Sequence, residues 1–285
     1  MAIVVRQILS EILKILLSVR MESTISFIAP RNPLFNSMPQ TFPQEVIDDL
    51  IDWVGLSSAG HGDPDLRTCS LVAGNWVERS RQHLFRSIKL ASSLDVTRWV
   101  EKIHPGADGP SKYVRKLWIH FGWDKWPQRF PSVEHLKSFA QVEELRLTYW
   151  CGGGATKEEV EEAFGSLGQS VKTLTVSLLR GDAGSFLHFL SLFPRLDDLS
   201  IMTSYLEVAT EPLPEGVVTI RGSLVLDGVQ ERFVDALVGS GLTPKVLKVT
   251  IPNLTSYDGL LAACSPSVEM VSLSPTFGQY LCTSL

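Results

Sequence analysis

The sequence predicts an α/β fold in which a compact helical unit precedes a right-handed solenoid with a parallel sheet. Two observations carry that prediction. A pattern of the form apolar-x-x-apolar-x-apolar recurs eight times from residue 85 onward. Between copies lie helical stretches that end in Gly or Pro, so strand, helix and strand alternate through short loops, which is the arrangement of a parallel sheet.

The first element is MAIVVRQILSEILKILLSVR (1–20). Val5, Ile8, Leu9, Ile12, Leu16 and Val19 recur at helical spacing and predict an amphipathic helix. Arg6, Glu11 and Lys14 interrupt it, so no uncharged run approaches the ~20 residues of a membrane span. The helix packs on the protein or extends ahead of a start at Met21. A mitochondrial presequence is the other reading, because Arg6, Lys14, Arg20 and Arg31 outnumber Glu11 and Glu22. Residues 1–37 are read together as an extension and linker, and RNPLFNSMPQTF (31–42) is turn-like because Pro33 and Pro39 break any helix.

A helical unit follows over 38–84. In FPQEVIDDLIDWV (42–54), Pro43 suits a first helical turn, and Thr41 with Gln44 three residues later is a capping arrangement. Val46, Ile47, Leu50, Ile51 and Val54 then form one apolar stripe. GLSSAGHGDP (55–64) reads as a loop, Asp65 to Val72 as a second helix and Asn75 to Leu84 as a third.

The third region, 85–285, holds the recurring motif. FRSIKL (85–90), VRKLWI (114–119), VEELRL (142–147), VKTLTV (171–176) and LDDLSI (196–201) are the clear copies. RGSLVL (221–226), PKVLKV (244–249) and VEMVSL (268–273) are weaker ones. Their fourth residues, Ile88, Leu117, Leu145, Leu174, Leu199, Leu224, Leu247 and Val271, are separated by 29, 28, 29, 25, 25, 23 and 24 residues. A period of about 20 to 29 residues is that of leucine-rich repeats. Each such unit buries its apolar face only against its neighbours. The array departs from the standard repeat at one place. The asparagine that usually follows the strand is replaced by Gly122, Trp150, Leu179 and Ser204. Helices are expected at 157–168, 184–194 and 229–241.

The helical unit resembles the F-box, through Phe42, Pro43, Glu45, Val46, Ile47, Leu50, Ile51, Leu66, Cys69, Leu71, Val72 and Trp76. An F-box followed by irregular leucine-rich repeats is similar to the expanded F-box family of mushroom-forming fungi. In that family a segment like SRQHLFRSIKL (80–90) leads into the first strand. Phe42 stands where that family usually has Leu, and the loop from Gly55 to Asp63 is long. The resemblance implies a substrate-recognition subunit of a ubiquitin ligase. Such a subunit docks a Skp-type adaptor, and through it a cullin, and presents a target protein on its repeats. It divides Phe42, Pro43, Ile47, Leu50, Ile51, Leu66, Leu71, Val72 and Trp76 between the unit's core and an adaptor surface, with Trp76 as a rigid interface anchor. The alternative is a repeat scaffold without ligase function, in which these helices serve as the terminal cap that repeat arrays need.

Target recognition is expected where the strands face outward. In LWIHFGWDKW (117–126), strand alternation turns Leu117 and Ile119 inward and leaves Trp118 and His120 on the open face. Arg146 and Thr148, then Thr175 and Ser177, then Ser200 and Met202, should line up beside them. The competing reading packs Trp118, Trp123 and Trp126 against the linker to close the first repeat.

Composition bounds the remaining classes. The chain has 285 residues, 44% hydrophobic and 20% charged, with a net charge of −5. That balance carries no overall electrostatic footprint for nucleic acid. Cys69, Cys151, Cys264 and Cys282 form no CxxC or Cys/His zinc spacing and fit a reduced cytoplasmic or nuclear setting. The sequon at Asn253 would matter only in a secreted protein. Gly152-Gly153-Gly154 lacks the lysine of a phosphate-binding loop. The histidines, 61, 83, 104, 120, 135 and 188, form no HExxH or His-x-His pair, and no GxSxG elbow occurs. The acidic run KEEVEEAF (157–164) reads as the wet face of a helix. The expectation is a non-enzymatic protein with no cofactor and no metal.

Overall fold

The computed structural model describes residues 43–57, 64–72, 74–92, 95, 98–99, 109–120, 133–151, 157–207, 220–230, 233–234, 237, 244–251, 258–264 and 266–275. The expected helix at 1–20, Thr41, Phe42, Gly122, Trp123, Trp126 and the 152–154 glycines lie outside these residues. The chain divides into two compact units, 1–86 and 87–285.

The first unit holds helices α1 (Gln44–Ser57), α2 (Pro64–Val72) and α3 (Gly74–Leu84). Pro43 lacks an N–H, but its carbonyl accepts from Val46 N at 3.1 Å and Ile47 N at 3.3 Å, which starts α1. The spacing of Ile47, Ile51 and Val54 puts them on one face of α1, and they pack with Leu66 and Cys69 of α2 and Trp76 of α3. Leu50, Trp53 and Leu84 cover this cluster from its edges.

The second unit is an eight-stranded sheet in the order β1-β2-β3-β4-β5-β6-β7-β8, parallel at every pairing. The strands are β1 (Ser87–Leu90), β2 (Lys116–His120), β3 (Glu144–Cys151), β4 (Thr173–Asp182), β5 (Asp198–Glu207), β6 (Ser223–Asp227), β7 (Val246–Ile251) and β8 (Met270–Pro275). Each falls on a copy of the recurring motif, and the fourth residues pair in register from Ile88↔Leu117 to Leu247↔Val271. Between β2 and β7 every fourth and sixth residue of the motif is buried, because a period-two strand turns both to one side. Ile88 is half-buried, while Val271 and Leu273 of β8 are 46% and 43% exposed.

The described connecting segments contribute to the same buried core as the sheet. Short 3-10 segments, Pro110–Tyr113 and Val133–Phe139, precede β2 and β3. Helices α4 (Lys157–Gly168) and α5 (Ala183–Ser191) flank β4, and α6 (Asp258–Cys264) precedes β8. Of the expected 229–241 helix, the described Phe233, Val234 and Leu237 are helical and buried. A row of phenylalanines runs through this layer. Phe164 meets Phe189 edge-on at 5.1 Å, Phe189 meets Phe193 at 5.0 Å, and Phe186 lies 6.0 Å from Phe189 and 5.7 Å from Phe233. The acidic residues Glu158, Glu159, Glu161 and Glu162 sit on the exposed side of α4, while Val160, Ala163, Phe164 and Leu167 are buried.

The middle strands run further than the six-residue motif. Trp150, Leu179 and Ser204, which stand where the repeat asparagine would, are still paired across β3, β4 and β5. The ladder therefore satisfies backbone groups that an asparagine side chain would otherwise bond. β4 ends with Gly181, whose φ of 121° favours glycine, and Asp182. The Asp182 carboxylate then caps α5, accepting from Ser185 N at 2.7 Å. Replacing Asp182 with Ala should cost about 1 kcal/mol of stability, read as a lowered urea midpoint, as for other helix N-caps.

Charge also alternates along the edge where the strands begin. Backbone bonds of 2.7 to 2.9 Å link Arg115, Glu143, Lys172, Asp197, Gly222, Lys245 and Glu269 from one repeat to the next. Neighbours carry opposite sign except around Gly222. A side chain at Gly222 would crowd Asp197 O and Asp198 Oδ1, each 2.9 Å from its Cβ position. Opposite charges on adjacent strands favour this register over a slipped one.

Candidate functional site

Two surfaces carry the residues singled out by the sequence, one in each unit. In the helical unit the expected set separates by burial. Ile47, Ile51, Leu66 and Trp76 are 8%, 0%, 3% and 5% exposed and form the unit's own core. Trp76 is thus part of the unit's core, packed with residues of all three helices. Leu50 is half-buried against that core, while Pro43 is exposed. Leu71 projects outward at 72%. Val72 ends α2, and Phe42 lies outside the described residues.

Two further apolar side chains stand in water on α1, Val46 at 51% and Leu56 at 76% exposed. With Leu71 they make three large hydrophobes that a core of six buried residues leaves uncovered. Exposed single hydrophobes are ordinary, and these three leave apolar surface on the unit outside its core. Val46 belonged to the sequence stripe; Leu56 gave no signal, because it sits at the helix end beyond the stripe.

An ionic cluster pins α1 to α3. The Asp52 carboxylate accepts from Arg79 Nε at 2.5 Å, from Arg79 Nη2 through its other oxygen, and meets His83 Nε2 at 2.9 Å. Arg79 also reaches Gln82 Oε1 at 3.2 Å. The Arg79 hydrogen bonds hold the Asp52 carboxyl down at about 2, from an ordinary 3.8, with His83 adding to them against a smaller cost of burial. Arg79 and His83 are four apart, so one face of α3 presents both. His83 packs so closely on α1 that a Cβ on Gly55 would lie 2.3 Å from its Nδ1.

Because the folded pKa is depressed, the cluster's contribution is present above the unfolded value near 3.8 and is lost as pH falls through about 2. Wild type should exceed Asp52→Asn in thermal midpoint at neutral pH, and the gap should close between about pH 4 and pH 2. Circular dichroism melts across that range check this; a gap independent of pH would contradict it.

The second surface is the open face of the sheet, opposite the buried row. Register places Lys89, Trp118, Arg146, Thr175, Ser200, Val225, Lys248 and Ser272 side by side across the strands. The next row holds His120, Thr148, Ser177, Met202 and Asp227. Trp118, His120, Thr148 and Thr175 are half-buried, and Arg146 is exposed. The alignment read from the motif spacing is therefore the one observed.

Trp118 is held by two side chains. Its Nε1 donates to Thr148 Oγ1 at 2.9 Å, and Lys89 Nζ lies 4.0 Å from the ring centroid. Arg146 is its register partner on the other side. Glu144 in the preceding row bonds both Arg146 Nε at 3.0 Å and Lys116 Nζ at 2.5 Å. Burial opposes its ionisation, but Lys116 and Arg146 outweigh that and keep its carboxyl below the usual range. Lys89, Lys116 and Glu144 were not singled out by sequence. The period-two alternation that exposes Trp118 could have found Lys89.

No group of three or more His, Cys, Asp or Glu side chains suited to a metal ion occurs among the described residues. No helix among them is long and apolar enough to cross a membrane. Cys69 and Cys264 are free and buried, and burial pushes the Cys264 thiol up, away from the reactive thiolate. No family model matches the chain, and no curated protein matches it.

Proposed function

We propose that this protein is an F-box substrate-recognition subunit of a Skp/cullin/F-box type ubiquitin ligase. On this reading the helical unit is the F-box, and the parallel sheet lines a right-handed, irregular leucine-rich-repeat-like solenoid. The protein works as a positioning device in the cytoplasm or nucleus, holding a target protein while its partners supply the chemistry. The observation that carries the reading is the surplus of apolar surface on the helical unit: Val46, Leu56 and Leu71 stay exposed beside a complete core. Half-buried Leu50 and exposed Pro43 complete the proposed adaptor surface. The solenoid reading is supported by strands that follow one another in sequence order, each register-matched to the last.

Co-expression with a Skp-type adaptor and pull-down tests it. Wild type should retain the adaptor, and a paired Val46→Asp, Leu71→Asp variant should lose at least about tenfold in affinity, since each buried carboxylate without a partner costs well over 1.4 kcal/mol. Both positions are exposed, so the variant's circular dichroism should match wild type. Absence of capture by folded wild type would leave the alternative, a scaffold whose helices are a terminal cap.

A further inference from the structure

We infer that the open face of β1 to β3 is a docking site for an acidic protein segment, gripped by Lys89, Lys116 and Arg146 around the Trp118 ring. This rests on the proposed reading of the sheet face as the target-binding surface and names the chemistry of that target. Three cations stand on adjacent strands here, and among their direct register partners Glu144 alone offers a carboxylate. It is shared by Lys116 and Arg146, so the cluster keeps an excess of positive charge on a chain whose net charge is −5. The cationic groups are accessible: the side chains of Lys116 and Arg146 are 51% and 55% exposed, and Lys89 is exposed.

Geometry favours a peptide over a small anion. Lys89 and Arg146 flank Trp118 one strand to either side, roughly 10 Å apart at the backbone. Their flexible arms can close on carboxylates at alternate positions of an extended chain. Trp118 does not swing freely, because Thr148 bonds its Nε1 at 2.9 Å. A fixed aromatic plate between cations gives packing to the segment's stem atoms and charge to its carboxylates. Beyond β3 the face turns to hydroxyls at Thr173, Thr175, Ser177 and Ser200, with Asp198 beside Thr173 bonded to Ser223. These can bond a peptide backbone without selecting a charge, so acidic selectivity is concentrated at the β1 to β3 end.

The test is fluorescence anisotropy on the full chain with a short labelled peptide of alternating Glu and Ser. Its comparators are the same peptide with Gln for Glu and a single-stranded DNA oligonucleotide of equal charge. The Glu peptide should bind, weaken steeply with added salt, and exceed both comparators. The exposed pair Lys89→Glu, Arg146→Glu should lower its affinity at least tenfold. Glu144→Gln should raise affinity severalfold by releasing two cations, an opposite sign that loss of folding cannot mimic. Lys248→Glu, in the same row but on β7, should change affinity less than twofold. Equal binding of the Gln peptide, preference for the oligonucleotide, or indifference to both the reversal and Glu144→Gln would overturn the inference. The adaptor pull-down is a separate readout. Adaptor capture without acidic-peptide binding removes this inference alone, and the converse removes the ligase reading while the docking site stands.

Discussion

Phe189→Ala is expected to destabilise the sheet unit by about 3–5 kcal/mol, the range for emptying a fully buried aromatic site. Phe189 is 0% exposed and touches three other rings: Phe164 at 5.1 Å, Phe193 at 5.0 Å and Phe186 at 6.0 Å. Those rings belong to different repeats, Phe164 to α4 and Phe186 to α5, so truncation opens a void shared between consecutive units. All four rings belong to one buried cluster under the sheet, so the loss falls on the core that holds it. Urea denaturation followed by far-ultraviolet circular dichroism measures this. A cost below about 1 kcal/mol would mean the ring row collapses around the gap and does not hold the layer together. The edge-on pairs add about 0.5–1.5 kcal/mol beyond area, so Phe189→Leu should recover part of the loss but not all of it.

The sheet was legible because its signal is short-range and repeated. Leu117 with Ile119 and Leu174 with Val176 each show a two-residue alternation, and the repeat spacing aligns them without knowledge of the loops. The open face followed from the same alternation, which is why Trp118, Arg146 and Thr175 fall in one row. Strand ends were less legible. Residues 177–182 extend β4 because their backbone pairs with β5, and side-chain alternation does not encode that pairing. In the helical unit, the apolar stripe gave helix and face but not the division between core and surface. Ile51 and Val46 belong to the same stripe, yet one is 0% and the other 51% exposed, because only Ile51 faces α2 and α3. A tryptophan is equally at home in a core and at an interface, so the sequence around Trp76 could not separate the two. The Asp52, Arg79 and His83 cluster joins residues 27 and 31 apart and exists only once α1 and α3 meet.

The same limit explains the pair of glycines in α4, where one substitution should have opposite signs three residues apart. A Cβ at Gly165 meets nothing within 4 Å. Gly165 is exposed inside a helix, so Gly165→Ala removes backbone freedom from the unfolded chain at no steric cost. It should raise stability by about 0.5–1 kcal/mol. At Gly168 a Cβ would lie 2.0 Å from the carbonyl oxygen of Leu192 and 3.1 Å from its carbon. That neighbour is backbone, fixed by Leu192 N bonding Phe189 O and by Phe193 N bonding Leu190 O at 3.0 Å, so it cannot swing aside as a side chain would. Gly168→Ala must move the end of α4 away from the end of α5 and loosen the Phe164–Phe189 contact with it. It should cost at least about 2–3 kcal/mol, within the range for overpacking a buried site. Helix propensity alone would give both substitutions the same favourable sign, so thermal melts of the two variants separate propensity from packing. A stabilised Gly168→Ala would mean that α4 and α5 slide freely past one another. A lowered midpoint beside a raised one at Gly165→Ala would mean that the repeats are set by a close approach of helix end to turn.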